Sequence, residues 1–81
     1  MAGRRKRVLE PALPVELAGA VRRARRAEGV SQAELARRLE CSQQYVSKIE
    51  RGVVVFTPAC VATIAAALGV PVGRIYGEEK P

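Results

Sequence analysis

Residues 31–52 read Ser31-Gln-Ala-Glu-Leu-Ala-Arg-Arg-Leu-Glu-Cys-Ser-Gln-Gln-Tyr-Val-Ser-Lys-Ile-Glu-Arg-Gly52. Ser31 followed three residues later by Glu34 is a capping box. The hydroxyl can accept the backbone N–H of Glu34, and the Glu34 carboxylate can reach back to the N–H of Ser31. Leu35, Ala36 and Leu39 then form one apolar stripe, so a helix is expected over about 32–39. Glu40-Cys41 leaves room only for a tight turn. Ser42 can cap a second helix, about 43–51, with Val46 and Ile49 turned inward. Gly52 suits its C-terminal stop. Two short helices joined by such a turn form a helix-turn-helix pattern.

The second helix has two unlike faces. At 3.6 residues per turn, Gln43, Gln44, Ser47, Lys48 and Arg51 fall opposite Val46 and Ile49. A Gln amide can bond bidentately to adenine N6 and N7, and a Lys can reach guanine O6 and N7. Any surface helix also shows a solvated polar face, so these residues alone leave the blander reading open.

Outward from this unit the pattern stays helical. Pro14 can open a helix of about 14–27, with Leu17, Val21 and Ala24 inward, Arg22, Arg23 and Arg26 outward, and a stop near Gly29. Thr57-Pro58 is a cap followed by a first-position proline. The helix it starts, about 58–68, carries Val61, Ile64, Ala65 and Leu68 on one side and ends at Gly69. Pro71 opens a short fifth helix, about 71–76, with Val72, Ile75 and Tyr76. Val53-Val-Val-Phe56 has no partner strand and reads as an apolar loop. The expected architecture is a compact all-α, five-helix domain over residues 13–77. A basic arm, 1–12, precedes it, and a disordered tail, 78–81, follows.

The chain has 81 residues, which bounds it to one domain with a small core. It carries 14 Lys and Arg against 8 acids, a net charge of +6. Residues 1–30 account for +5 of that charge, and residues 52–81 for none. A basic half on a small domain points to a polyanion partner. All acids are Glu, and there is no His, Asp, Asn or Trp. His general bases, Asp nucleophiles and His metal ligands are thereby excluded, so neither catalysis nor a metal or other cofactor is expected. Cys41 and Cys60 lack disulfide-framework or metal spacing and read as buried free thiols. The most apolar stretch, Ala59–Leu68, is half the length a membrane span needs. Glu10, Pro11, Pro14 and Glu16 interrupt any leader-like apolar run. A cytoplasmic protein is expected.

The stretch from Ser31 to Gly52 resembles the Cro/phage-repressor class of helix-turn-helix proteins, the XRE family. The resemblance extends back to Leu17 and forward through Ala65-Ala-Ala-Leu-Gly-Val-Pro-Val to Ile75, roughly 60 of the 81 residues. It implies a lambda-repressor-like fold that binds operator DNA as a two-fold dimer, with the second helix of the motif in the major groove. Gln43, Gln44, Ser47 and Lys48 are then the expected base-contacting residues. Gln32, at the start of the first motif helix, is implied to clamp a phosphate, helped by the helix N-terminus. A simpler reading is that Gln suits a first turn. Ser42, Tyr45 and Arg51 join the phosphate set, and a place flanking the core suits Tyr45 equally. Arg25 and Glu50 match a family pair that ties the first helix to the recognition helix.

Two departures stand out. Many relatives carry Gly where this chain has Glu40, so a non-Gly residue is asked to take a positive φ. The loop Val53–Phe56 is apolar where relatives place polar or basic residues. Arg4, Arg5, Lys6 and Arg7 of the arm can supply the phosphate contacts that loop lacks, or enter a minor groove. The loop itself, Val53, Val54, Val55 and Phe56, with Val72, Ile75 and Tyr76, is the expected dimer interface.

These readings converge on a homodimeric, sequence-specific double-stranded-DNA regulator of transcription, with repression as the default. No separate ligand-sensing domain and no small-molecule ligand are expected. The alternative is a protein-interaction module, antitoxin-like or polymerase-binding, with RNA polymerase or another protein as partner. RNA binding fits less well, because Tyr45, Phe56 and Tyr76 do not cluster as a stacking platform.

Overall fold

A computed structural model of the chain describes residues 13–77. The arm residues Arg4, Arg5, Lys6 and Arg7 and the tail 78–81 lie outside these described residues. Five helices and no strand occur among them: α1 Leu17–Ala27, α2 Gln32–Leu39, α3 Gln43–Glu50, α4 Pro58–Leu68 and α5 Val72–Tyr76.

Local chemistry sets most of the boundaries. Ser31 Oγ accepts the Glu34 N–H, Ser42 Oγ accepts the Tyr45 N–H, and Thr57 Oγ1 accepts the Cys60 N–H. Each hydroxyl satisfies a donor that the first helical turn leaves unpaired. Only half of the expected capping box forms. The Glu34 carboxylate turns away from the Ser31 N–H to Arg37 at 2.5 Å and Arg38 at 2.9 Å. Two cations outcompete one neutral donor for the same anion.

The first helix begins three residues later than expected. Leu17 N–H bonds Pro14 O and Ala18 N–H bonds Val15 O, so Pro14–Leu17 is a turn leading into α1. Glu40 closes α2 in the left-handed region at φ +59°. Its N–H and that of Cys41 bond back to Arg37 O and Ala36 O, which satisfies carbonyls at the helix end. Gly52 does the same work after α3 at φ +76°, and there a side chain would be crowded as well as strained. A Cβ at this position would collide with the Val15 side chain, which lies directly over it.

The core gathers Val21, Leu35, Val46, Ile49, Val61, Ile64 and Leu68 from the stripes legible in the sequence, with Val30 from the connection between α1 and α2. It also takes Phe56 and Ile75, which are only 2% and 1% exposed. This corrects the expected dimer interface, since fully buried side chains cannot meet a second subunit. The cause is an alternation in the loop. The Leu13 N–H bonds Phe56 O at 2.9 Å and fixes its register. Phe56 then points in and Val54 is half-buried, while Val53 and Val55 point out, 61% and 72% exposed. From α5, Ile75 fills the core, Tyr76 is half-buried and Val72 is exposed.

The cysteines are free but half-buried rather than buried. Both line a small apolar cleft with Leu39, Tyr45, Ile49, Thr63 and Ile64. Burial pushes the Cys60 thiol pKa up, so the thiol form is favoured there. No helix among the described residues is long and apolar enough to cross a membrane.

Candidate nucleic-acid interface

The orientation of α3 is set by a buried ion pair. Arg25 Nε donates to Glu50 Oε2 at 2.5 Å, and Arg25 Nη2 donates to Glu50 Oε1 at 3.0 Å. Arg25 Nη1 donates to Val30 O at 2.8 Å, in the connection between α1 and α2. Gln32 Nε2, on the first residue of α2, donates to Glu50 Oε1 at 3.1 Å. One carboxylate thus receives donors from α1 and α2 while standing on the last residue of α3. Arg25 and Glu50 are each only 8% exposed, so the network is largely shielded from water. A planar bidentate fork at this depth fixes the angle of α1 against α3 as well as their spacing, and the Gln32 bond ties α2 to the same carboxylate.

With Val46 and Ile49 buried behind it, α3 turns Gln43, Gln44 and Lys48 to solvent, with Ser47 half-exposed. Gln32, Ser42, Gln43, Gln44 and Ser47 line one shallow polar hollow of about 440 Å³. The starts of α2 and α3 therefore meet at a surface rich in amide and hydroxyl groups. Their donors are only partly used. Ser42 accepts the Tyr45 N–H but keeps its own O–H free to donate, and Gln32 gives one amide hydrogen to Glu50 and keeps the other.

The remaining expected residues are placed less uniformly. Lys48 and Arg51 are exposed beside the end of α3 and have no acidic partner among the described residues. Tyr45 lines the cysteine cleft at the flank of the core, and 46% of the residue remains exposed. The Gln32–Glu50 bond escaped sequence reasoning, which gave Gln32 a phosphate and Glu50 only an arginine. A polar contact 18 residues apart carries no periodicity by which to find it. Also missed were Arg38 Nη1 donating to Ala67 O at 2.9 Å and Arg74 pairing with Glu28 at 3.4 Å. These fasten α2 to the end of α4, and α5 to the end of α1.

No group of three or more metal-ligating side chains occurs among the described residues. Fold and exposed face together are those of a helix-turn-helix transcription regulator, a class of DNA-binding proteins rather than enzymes.

The family comparison agrees, because the profile described as "Helix-turn-helix domain" matches residues 16–75; the chain belongs to this family. A solved structure of the clp gene regulator ClgR from Corynebacterium glutamicum is similar, with TM-score 0.75 and 35% identity over 85% of this chain and 90% of that one. The restriction-modification controller protein C.AhdI from Aeromonas hydrophila gives TM-score 0.68 at 28% identity, over 75% of this chain and 88% of its own. A hypothetical transcription factor, NHTF, from Neisseria gives TM-score 0.65 at 30% identity, over 85% of each chain. No curated protein matches the sequence.

Proposed function

We propose that this chain binds a specific double-stranded DNA site as a homodimer, with α3 in the major groove, and represses transcription from it. Gln43, Gln44, Ser47 and Lys48 read base edges. Gln32, Ser42, Tyr45 and Arg51 hold phosphates, and Arg4, Arg5, Lys6 and Arg7 add contacts from the arm. The observation that carries the reading is the polar hollow shared by the starts of α2 and α3, on the face of α3 opposite its buried residues. A phosphate contact at one end and base contacts along the other is the division of labour a reading helix needs. Similarity to regulators over most of the chain supports the same conclusion.

Dimerisation follows from the size of the reader. One α3 spans only a few base pairs, and a two-fold pair of half-sites supplies the remaining specificity. Val53, Val55 and Val72 are the exposed members of the apolar set and form the proposed contact. Selection from a random duplex pool tests the function. The expected product is one motif with two-fold symmetry and half-sites about 10 base pairs apart. Recovery of no enriched motif would refute it.

A second reading rests on the same valines. Val53 and Val55 side by side on an exposed loop suit an apolar protein partner, such as a polymerase subunit or toxin. Filter binding separates the two, because specific DNA affinity with a steep salt dependence belongs to the regulator.

A further inference from the structure

Cations among the described residues fall into two groups. Arg37 and Arg38 pair with Glu34, Arg74 with Glu28 and Arg25 with Glu50. Arg22, Arg23, Arg26, Lys48 and Arg51 are exposed and have no acidic partner among the described residues. Arg22, Arg23 and Arg26 stand on α1, Lys48 in the last turn of α3 and Arg51 just past it. Of these, Arg22, Arg26, Lys48 and Arg51 form a set of unpaired cations on α1 and at the end of α3 among the described residues.

The bearing of each arginine around α1 follows from two fixed points. Arg25 bonds Glu50 on α3, and Ala18 lies against the backbone at Gly52, just past α3. Ala18 and Arg25 therefore mark the edge of α1 that faces α3. At 3.6 residues per turn, Arg22 stands about 60° and Arg26 about 100° round the helix from Arg25, on the solvent side of that edge. Arg23 stands about 160° away. Its guanidinium lies along Gly19, and the residue lines a hollow with Ala20, Ala27, Arg74 and Ile75, towards α5.

The structure assigns Arg22 and Arg26 of α1 as a second row of phosphate contacts, continuing the cationic end of α3 along the DNA backbone. This rests on the reading of α3 as the DNA-facing helix. The loop after α3 carries no Lys or Arg from Gly52 to Thr57, and its Val53 and Val55 turn apolar surface to solvent. A duplex seated on α3 therefore meets cations from α1 where this loop supplies none. The ligand is the phosphodiester backbone itself, so the contacts are indifferent to sequence.

The test is a salt titration of full-length protein on a random-sequence duplex, read by fluorescence anisotropy. Wild type, Arg23→Gln and the double variant Arg22→Gln/Arg26→Gln are compared. The log–log slope of the double variant should be shallower by about 1.8, from 0.9 per neutralised phosphate of B-DNA. Arg23→Gln should keep the wild-type slope. An unchanged slope in the double variant overturns this inference alone, as does equal flattening by Arg23→Gln, which marks a general charge effect. Failure of wild type to bind any duplex overturns the inference and the proposed function together.

Discussion

Arg25 on α1 grips both carboxylate oxygens of Glu50 on α3, and each residue is only 8% exposed. Removing one partner strands the other charge in a site closed to water. Glu50→Ala should therefore destabilise the fold by about 3 kcal/mol. Replacing both residues together, Arg25→Met with Glu50→Leu, should cost less than Glu50→Ala, because no charge is left buried. Urea unfolding of the three proteins decides this. Equal midpoints for wild type and Glu50→Ala would show that the pair contributes nothing.

Phe56 and Val55 are neighbours with opposite fates, 2% and 72% exposed. Phe56→Ala should lose about 3–5 kcal/mol through the cavity it opens. Val55→Glu should leave the melting profile of the monomer unchanged but weaken self-association and cooperative operator binding. Sedimentation velocity at several concentrations reads the second effect. A Val55→Glu protein that associates as wild type does would move the dimer contact elsewhere.

The helices were legible in the sequence because their stops are chemical. Ser31, Ser42 and Thr57 cap, and Gly52 and Gly69 end, at positions that single residue types betray. The Arg25–Glu50 pair was legible only through a family resemblance, since nothing in one sequence couples residues 25 apart. The apolar loop was legible but the inward facing of Phe56 was not, because the register of the loop is tied to a backbone bond from Leu13 to Phe56. That contact is tertiary and leaves no local trace. The polar face of α3 could be read from its 3.6-residue period, whereas the bond that commits Gln32 to Glu50 could not.

Glu40 sits in the left-handed region at φ +59°, at the negative end of the α2 dipole. A side chain there costs about 1 kcal/mol in backbone strain, and a carboxylate at a helix C-terminus adds an unfavourable charge interaction. Gly relieves both, at some loss of backbone entropy. Glu40→Gly should therefore stabilise the protein by about 1 kcal/mol, a rise of about 4–8 °C in Tm for a domain of this size. A lower Tm would mean that the Glu40 side chain makes a stabilising contact.

Glu34 is held between Arg37 and Arg38, whose hydrogen bonds pull its carboxyl from the ordinary 4.5 down to about 2. A depressed carboxyl pKa gives stabilisation that is complete above the unfolded value and lost as pH falls through the folded one. The window is therefore from 4.5 down to about 2. The stability difference between wild type and Glu34→Gln should shrink across this window and should also shrink in high salt, since the group is near the surface. Carboxyl NMR should place the Glu34 midpoint near 2. A midpoint at the ordinary value would mean that the two arginines do not hold it in solution.

Gln32 and Gln44 line the same hollow but stand on different helices, at the start of α2 and in the first turn of α3. If α3 reads base edges and Gln32 holds a phosphate, their removal should have different signatures. Gln44→Ala should lose about 1–3 kcal/mol on the selected operator and little on random DNA. Gln32→Ala should weaken both by a similar factor, because a phosphate is present in either duplex. It also removes the donor to Glu50 Oε1, so its stability should fall by about 1 kcal/mol while that of Gln44→Ala stays unchanged. Binding is therefore measured well below the melting range of each variant, with thermal unfolding run in parallel. If Gln44→Ala and Gln32→Ala shift operator and random-DNA affinity by the same factor, α3 is not the reading helix. The base-contact roles of Gln43, Ser47 and Lys48 then fail with that of Gln44, because the same face carries all four.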